Sequence, residues 1–352
     1  MVLLQIWPFG EVVDVATSEA NWTEDDRPST EFHAIRQASR MMRLTLATMM
    51  AVYMTVSLLQ PSALGQAPGQ RSASQAQAAP QAPFGPLAPE AQAQLQKVLT
   101  AWQNQSQGTK TLELKFLRFH YDANMAPVVG NAPTAATKSE GEIKYAAPDR
   151  GLIRVDQIVF FNGMVNNQPA YKAFADRFGE HWVCNGKQLI EFDRNAKECK
   201  IEELPPEMQG KNIISSPLPF VFNLNANDLQ QRYWVRQTDA GNPDVILLEV
   251  WPKRAEDRAQ YKMVQVALDA KEFLPKVLVM YAPNFNAKTA PIWDHYEFTS
   301  VKRNGMGNGL ADFFKNFIPE KPPADWKILR NQFQVPGAEI QQAAGPADGQ
   351  KR

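Results

Sequence analysis

A chain of 352 residues, 44% apolar and 21% charged, has an ordinary globular composition, which excludes wholesale disorder. Lysine plus arginine and aspartate plus glutamate both number 37. With residues 1–65 set aside, 33 basic and 30 acidic residues remain, and this net charge of +3 is too weak a bias to point to nucleic acid.

Residues 44–59 read LTLATMMAVYMTVSLL, sixteen positions without a charge. Arg43 precedes them, and Pro61, Ser62, Ala63, Leu64 and Gly65 follow. A basic start, an apolar stretch and small residues at the cut make a secretory signal, here over 41–65, with cleavage before Gln66. A spanning helix needs about 20 apolar residues, so no permanent membrane anchor is expected after cleavage. Residues 1–40 include Glu24, Asp25 and Asp26, a poor signal start, whereas Met41 and Met42 sit where one belongs. The expected start is therefore Met41 or Met42, with 1–40 a mis-called upstream start. No cysteine follows the cut to carry a lipid, so the mature protein is expected to be a soluble, exported, extracytoplasmic or periplasmic protein.

Residues 66–88 hold 7 Ala, 5 Gln and 4 Pro, which bury too little apolar surface to offset ordering. They are expected to be a disordered linker, and 336–352 a disordered tail. The span between, 89–335, is expected to be one β-rich domain.

That domain opens with a helix over 89–107. Pro89 suits its first position, Leu95, Val98, Leu99 and Trp102 form one apolar stripe, and Gly108 is a stop. The period then becomes two. Leu112, Leu114 and Phe116 alternate with charged residues, while Leu117, Phe119 and Tyr121 continue in the other phase, which predicts a bulge near 116–117. Strands are expected over 141–145 and 152–155, and a hairpin over 181–193 turning at Asn185 and Gly186. Another strand follows over 198–201, a short helix over 227–231, and a strand at Val235. Long strands over 245–251, 261–268, 274–281 and 293–301 close the domain. The pattern predicts a β-rich α+β fold, an open, incomplete antiparallel β-barrel with a few covering helices.

Cys184 and Cys199 fall on strands with a third between them, roughly 9–10 Å apart by strand spacing, too far for a disulfide. His120, His181 and His295 lack metal-ligand spacing. Asp294 and His295 point to opposite faces of a strand and form no dyad. No hydrolase, nucleotide or zinc-protease motif occurs. No catalytic residue, metal or cofactor is therefore assigned, and the protein is read as not an enzyme.

In the 181–193 hairpin, Trp182 and Leu189 share one face, and Val183, Ile190 and Phe192 the other. Both faces are apolar, so either both are covered or one lines a cavity. The expected cavity wall is Ile143, Tyr145 and Leu189, capped by Phe220 and Phe222 in the apolar, proline-bearing turn over 217–222.

Gly141, Ile143 and Pro148, then Asn185, Gly186, Lys187, Leu189, Phe192 and Asp193, then the turn from Pro217 to Phe220, follow one another in an ordered set. In these residues, over about 110–300, the chain resembles the periplasmic lipoprotein carrier family (LolA-like). The strings WVCNGK and LPPEMQGKNI resemble a family of exported proteins from planctomycete bacteria, uncharacterised in activity. The carrier resemblance implies an incomplete barrel with a helical lid over a hydrophobic cavity. It also implies a non-enzymatic role with a lipid, acyl chain or acylated protein as partner. The family's latching arginine before the early proline is absent; Ala147 stands there, and Arg150 follows. The alternative is a structural or interaction module of the cell envelope with a filled core.

Overall fold

The computed structural model describes residues 81–129, 132–206, 209, 225–305 and 309–331. The expected upstream start, the 41–65 signal, most of the linker, the 217–222 turn with Phe220 and Phe222, and the 336–352 tail lie outside them.

Helix α1 runs Pro89–Gln107, as the sequence predicts, and buries Leu95, Val98, Leu99 and Trp102. Its end is fixed from far along the chain. The Asn304 amide donates to the Gly108 carbonyl at 2.8 Å, and its side-chain oxygen accepts from the Lys110 and Thr111 amides at 2.7 and 3.2 Å. One side chain thus satisfies backbone groups that a helix end leaves without partners. Asn304 also has a positive φ of 55°. Asn304→Ala is expected to cost about 2 kcal/mol, from three lost hydrogen bonds and a strained alanine, measured by urea unfolding.

The strands are β1 (Thr111–Asp122), β2 (Val128–Val129), β3 (Ala132–Pro133), β4 (Thr137–Ala146), β5 (Arg150–Val165), β6 (Gln168–Lys172), β7 (His181–Asn185), β8 (Gln188–Asp193) and β9 (Glu198–Glu203). After the short helix α2 (Ala226–Arg232) come β10 (Tyr233–Thr238) and β11 (Val245–Pro252). Helix α3 (Ala255–Arg258), β12 (Met263–Asp269), β13 (Pro275–Tyr281), β14 (Ile292–Arg303), α4 (Leu310–Lys315) and β15 (Lys327–Asn331) complete the chain. Among the described residues, thirteen strands make one sheet in the order β10-β11-β12-β13-β14-β1-β4-β5-β7-β8-β9-β15, with β6 beside β5. Its end strands β10 and β15 do not pair, so the sheet is open. Every pairing in it is antiparallel except that of β15 with β9, which is parallel. The late strand β15 was not legible in the sequence.

The bulge expected near 116–117 is not there. β1 pairs with β4 without a break from Thr111 to His120. The irregularity lies on β14, between the partners of Glu113 and Lys115, where Ser300 has a φ of 52°. The change of phase along β1 therefore changes which face is apolar. Leu112, Leu114 and Phe116 point to the same inner face as Arg118 and His120, while Leu117, Phe119 and Tyr121 point outward.

The 181–193 hairpin turns one residue later than expected. Cys184 pairs with Leu189, so Gly186 and Lys187 make the turn. Asn185 instead closes it with its side chain, accepting from the Lys187 and Gln188 amides at 2.9 and 2.8 Å. Gly186 has a φ of 92°, which a side chain would strain. The face assignments of Trp182, Val183, Leu189, Ile190 and Phe192 are unaffected, because the pairing slips by two. Cys184 and Cys199 are both free and both buried, and they lie on opposite faces of the sheet.

Both faces are covered, but at different places. On the inner face, α1 and α2 pack over β10–β14, β1 and β4, in a cluster that includes Leu99, Leu114, Ile143, Leu248 and Leu268. On the outer face, Phe313 of α4 and Phe317 pack on Leu152, Val183, Ile190, Phe192 and Cys199, with Trp326 beside them. Residues 81–88, within the span expected to be linker, have no helix or strand, yet Leu87 packs on the inner cluster.

Candidate functional site

Of the residues expected to wall a cavity, Ile143 and Tyr145 lie together on the inner face of β4, at 0% and 1% exposure. They belong to the cluster that α1 covers. Leu189 is half-buried on β8, three strands further along the sheet, and in neither cluster. The structure brings the first two together and sets the third apart.

Among the described residues, a cleft near α1 lies at the β10 edge. It has a volume of about 450 Å³ and lies between residues 81–87, the first turns of α1, α2 and β10. Phe84, Leu87, Leu95, Tyr233, Trp234 and Val235 supply its apolar wall, and Gln92, Gln230 and Lys253 its polar groups. Phe84 packs against Trp251 with ring centroids 5.2 Å apart, and the Arg236 guanidinium lies 5.2 Å from one ring and 5.1 Å from the other. That contact holds the 81–87 segment on the sheet edge. Sequence reading missed it because two apolar residues, Phe84 and Leu87, are diluted among Pro, Gly, Ala and Gln.

The floor of the cleft is braced by buried polar pairs. The Tyr233 and Tyr261 hydroxyls are 2.7 Å apart, and burial raises the pKa of both phenols. Arg232 grips both oxygens of the fully buried Asp257, at 2.6 and 3.3 Å. Lys253 Nζ donates to the Gln230 carbonyl at 2.5 Å, tying β11's end to α2. Two side chains then couple α2 to α1: Gln103 accepts from the Ala226 amide at 2.7 Å, and Gln230 donates to Gln96 at 3.3 Å.

A second feature is a charged group inside the fold, where β1's inner face turns polar. Arg118, 8% exposed at its side chain, donates to both carboxylate oxygens of Glu180 at 3.1 and 3.0 Å and to Ser139 Oγ at 3.1 Å. Its guanidinium also lies 5.9 Å from the Tyr296 ring. Burial alone would raise the Glu180 pKa, but the Arg118 charge and hydrogen bonds outweigh it and hold the carboxyl below its usual range. Glu180 reaches Arg118 because its segment crosses β5 very closely. A Cβ on Gly179 would stand 2.2 Å from Val155 Cγ1, so only glycine fits.

Two residues further along β1, His120 Nδ1 lies 3.0 Å from Asp294 Oδ1 of β14. Burial pulls the imidazole pKa down, yet the Asp294 carboxylate more than reverses this, and the net shift is upward. Asp294 shifts down for the converse reason, its own burial being outweighed by His120 and Arg118. Asp294 does point away from its neighbour His295, as strand alternation requires, but it finds a partner across the β1–β14 pairing. The sequence hid this because the two strands are about as far apart in the chain as the domain permits. Among the described residues, no group of three His, Cys, Asp or Glu side chains is placed to hold a metal ion. No helix among them is long and apolar enough to cross a membrane.

No family model and no curated protein matches this sequence. Solved structures give partial likenesses. An uncharacterized conserved protein from Thermus thermophilus is 7% identical, with a TM-score of 0.35 over 68% of this chain and 99% of that one. A LolA superfamily protein from Nitrosomonas europaea is 12% identical, with a TM-score of 0.29 over 59% of this chain and 93% of that one. A putative outer membrane lipoprotein-sorting protein domain from Vibrio parahaemolyticus is 11% identical, with a TM-score of 0.25 over 62% of this chain and 96% of that one.

Proposed function

We propose that this chain is an exported, non-enzymatic carrier that binds an acyl chain, free in a lipid or attached to a protein. The observation that carries the reading is the cleft of about 450 Å³ at the free β10 edge. Its size falls within the roughly 300–1,000 Å³ of small-molecule sites. Its wall mixes aromatic and aliphatic side chains with Gln81, Gln92, Gln230 and Lys253, which suits a chain with a polar end. Its roof, residues 81–87, has no regular structure and is secured chiefly through Phe84 and Leu87, so it can be displaced at small cost. The signal-like stretch over 44–59 and the carrier-like motifs from Gly141 to Asp193 support export and the carrier class. In the full cycle α1 lifts from the inner face, which adds Ile143 and Tyr145 to the wall, and Phe220 and Phe222 close over the cargo.

The test is uptake of a fluorescent fatty acid. Phe84→Ser with Leu87→Ser should weaken uptake by roughly tenfold, the loss expected for two partly buried apolar side chains. The fold should persist with a lowered unfolding temperature, since Leu87 packs on the inner cluster and Phe84 on Trp251, so uptake is compared at a temperature where both proteins are folded. Phe220→Ser tests the lid in the same assay. Equal uptake by wild type and the double variant would refute the cleft as the site.

A second reading is a structural or interaction module with a filled interior. The near-zero exposure of Leu99 on α1 and of Ile143 and Leu248 beneath the helix favours this reading. No uptake by the wild type, and no lipid retained on purification as read by native mass spectrometry, would decide for it.

A further inference from the structure

Of the ten large apolar side chains exposed among the described residues, four lie on two hairpins, while others such as Ile318 and Ile328 lie elsewhere. β5 has 16 residues and outruns its neighbour: its last partner on β4 is Thr137, opposite Phe160. Beyond that point it pairs with β6 and forms a hairpin that turns at Asn166 and Asn167, both with positive φ, at 50° and 59°. Beside the turn Met164 and Val165 are 39% and 59% exposed. The hairpin of β2 and β3 leaves from the same end of the sheet, between the end of β1 and the start of β4, and there Val128 and Val129 are 54% and 40% exposed. The Tyr171 hydroxyl of β6 donates to the Ala135 carbonyl at 3.0 Å, which ties the first hairpin to the chain just after the second. Single exposed apolar residues are ordinary on a protein surface, but two neighbouring tips that carry four aliphatic side chains form a patch.

Lysines surround it. Lys138 Nζ sits 4.1 Å from the Tyr171 ring, and Lys172 Nζ 5.5 Å from that of Phe174, itself 40% exposed. Lys262 and Lys288 stand at the same ends of their strands, before β12 and between β13 and β14, with Arg254 and Arg258 and the acids Asp122, Asp176, Glu256 and Asp257. We propose that these two hairpins dock the protein on the surface of an anionic lipid bilayer. Aliphatic side chains on narrow tips can enter the headgroup boundary without opening a backbone hydrogen bond, because each hairpin pairs internally. The basic groups face the anionic headgroups. Asn166 and Asn167 at the outermost turn limit the depth to that boundary. A protein partner would call for a flat or concave patch with a buried aromatic or arginine anchor, which two separate tips do not offer.

The proposal stands apart from the carrier reading, although the cleft's Tyr233 begins β10 opposite Pro252 at the end of β11, and the neighbouring strands run on through Val250–Val264, Met263–Tyr281, Tyr281–Trp293 and Trp293–Tyr121 pairs.

Cosedimentation of the purified mature protein with phosphatidylethanolamine–phosphatidylglycerol vesicles tests it. Wild type should pellet, and less so with phosphatidylcholine vesicles or high salt. Met164→Asp with Val165→Asp should cut binding roughly tenfold or more, and Val128→Asp should weaken it independently. These exposed sites leave the fold intact, checked by thermal unfolding, and fatty-acid uptake from solution should not change. Wild type remaining in the supernatant, or the double variant pelleting like wild type, overturns the proposal. So does a dimer in solution, seen by analytical ultracentrifugation, that Met164→Asp with Val165→Asp dissociates, because the patch then belongs to a second copy.

Discussion

Glu180→Ala should lower the unfolding free energy by about 3 kcal/mol, far more than a surface charge would. The reason is what remains. Arg118 stays at 8% side-chain exposure, with Ser139 Oγ and the Tyr296 ring beside it and the Asp294 charge still acting on it, but without the Glu180 carboxylate that it grips. A guanidinium in that position cannot shed its proton and can reach water only by pulling β1 apart. Glu180 itself is 26% exposed, which lets some water in and places the loss at the lower end of the range for broken buried pairs. The companion variant separates the pair's worth from the cost of leaving Arg118 without Glu180. Arg118→Met combined with Glu180→Leu should recover most of the loss, because an apolar pair fills the space without a charge to desolvate. Urea unfolding of both variants measures the difference, and equal losses in the two would contradict the account.

Acidification should destabilise the protein through His181. Its ring is buried, at 9% exposure, and stacks 4.8 Å from Phe192. Burial, then the Arg194 and Arg154 guanidiniums, push its pKa from 6.5 down to about 4, against a weaker opposite pull from Glu320 and Asp156. The folded imidazole therefore stays neutral where the unfolded one takes a proton. Its contribution is complete above pH 6.5 and is lost as pH falls towards 4. A displacement of this size corresponds to about 3 kcal/mol across that window. His120 has the opposite sign. Its pKa is raised by Asp294, so its contribution is complete below the unfolded pKa and fades as pH rises through the folded value. Unfolding free energies of His181→Phe and His120→Asn against pH separate the two. The first should flatten the acid limb, and the second should remove a loss on the alkaline side. An unchanged acid limb in His181→Phe would place the titrating group elsewhere.

What the sequence revealed follows from the range over which each feature is encoded. Helix α1 is local: its stripe, its Pro89 and its stop all lie within twenty positions, and its bounds agree. The long strands β11 to β14 were legible for the same reason. The hairpin at Gly186 was found but misplaced by one residue, because Asn185 serves as a side-chain cap rather than as a turn residue. The phase change in β1 looked like a bulge because an interior face was assumed to be apolar throughout. In fact Arg118 and His120 are interior, and only Glu180 and Asp294, brought from a loop and from β14, make that tolerable. The parallel strand β15 carries little alternation, since both its faces are largely exposed. The cleft was not legible at all. It depends on Phe84 meeting Trp251, a contact between a segment of linker-like composition and a strand more than 160 positions away.

The pairing of β1 with β14 has a consequence for the order of events in the life of the chain. Leu112 lies opposite Arg303, and Asn304 reaches back 194 residues to hold the start of β1. The first strand of the sheet cannot acquire its neighbour on that side until almost the whole domain has emerged. Long-range pairings of this kind slow folding, because the loop must be closed before any contact rewards it. Pairs such as β11 with β12 can form early, but they expose the apolar side chains that α1 and β1 later cover. For an exported chain, as proposed above, that delay would keep the sheet open during passage. Its sheet locks at the centre only after release, when the Asn304 clamp can close.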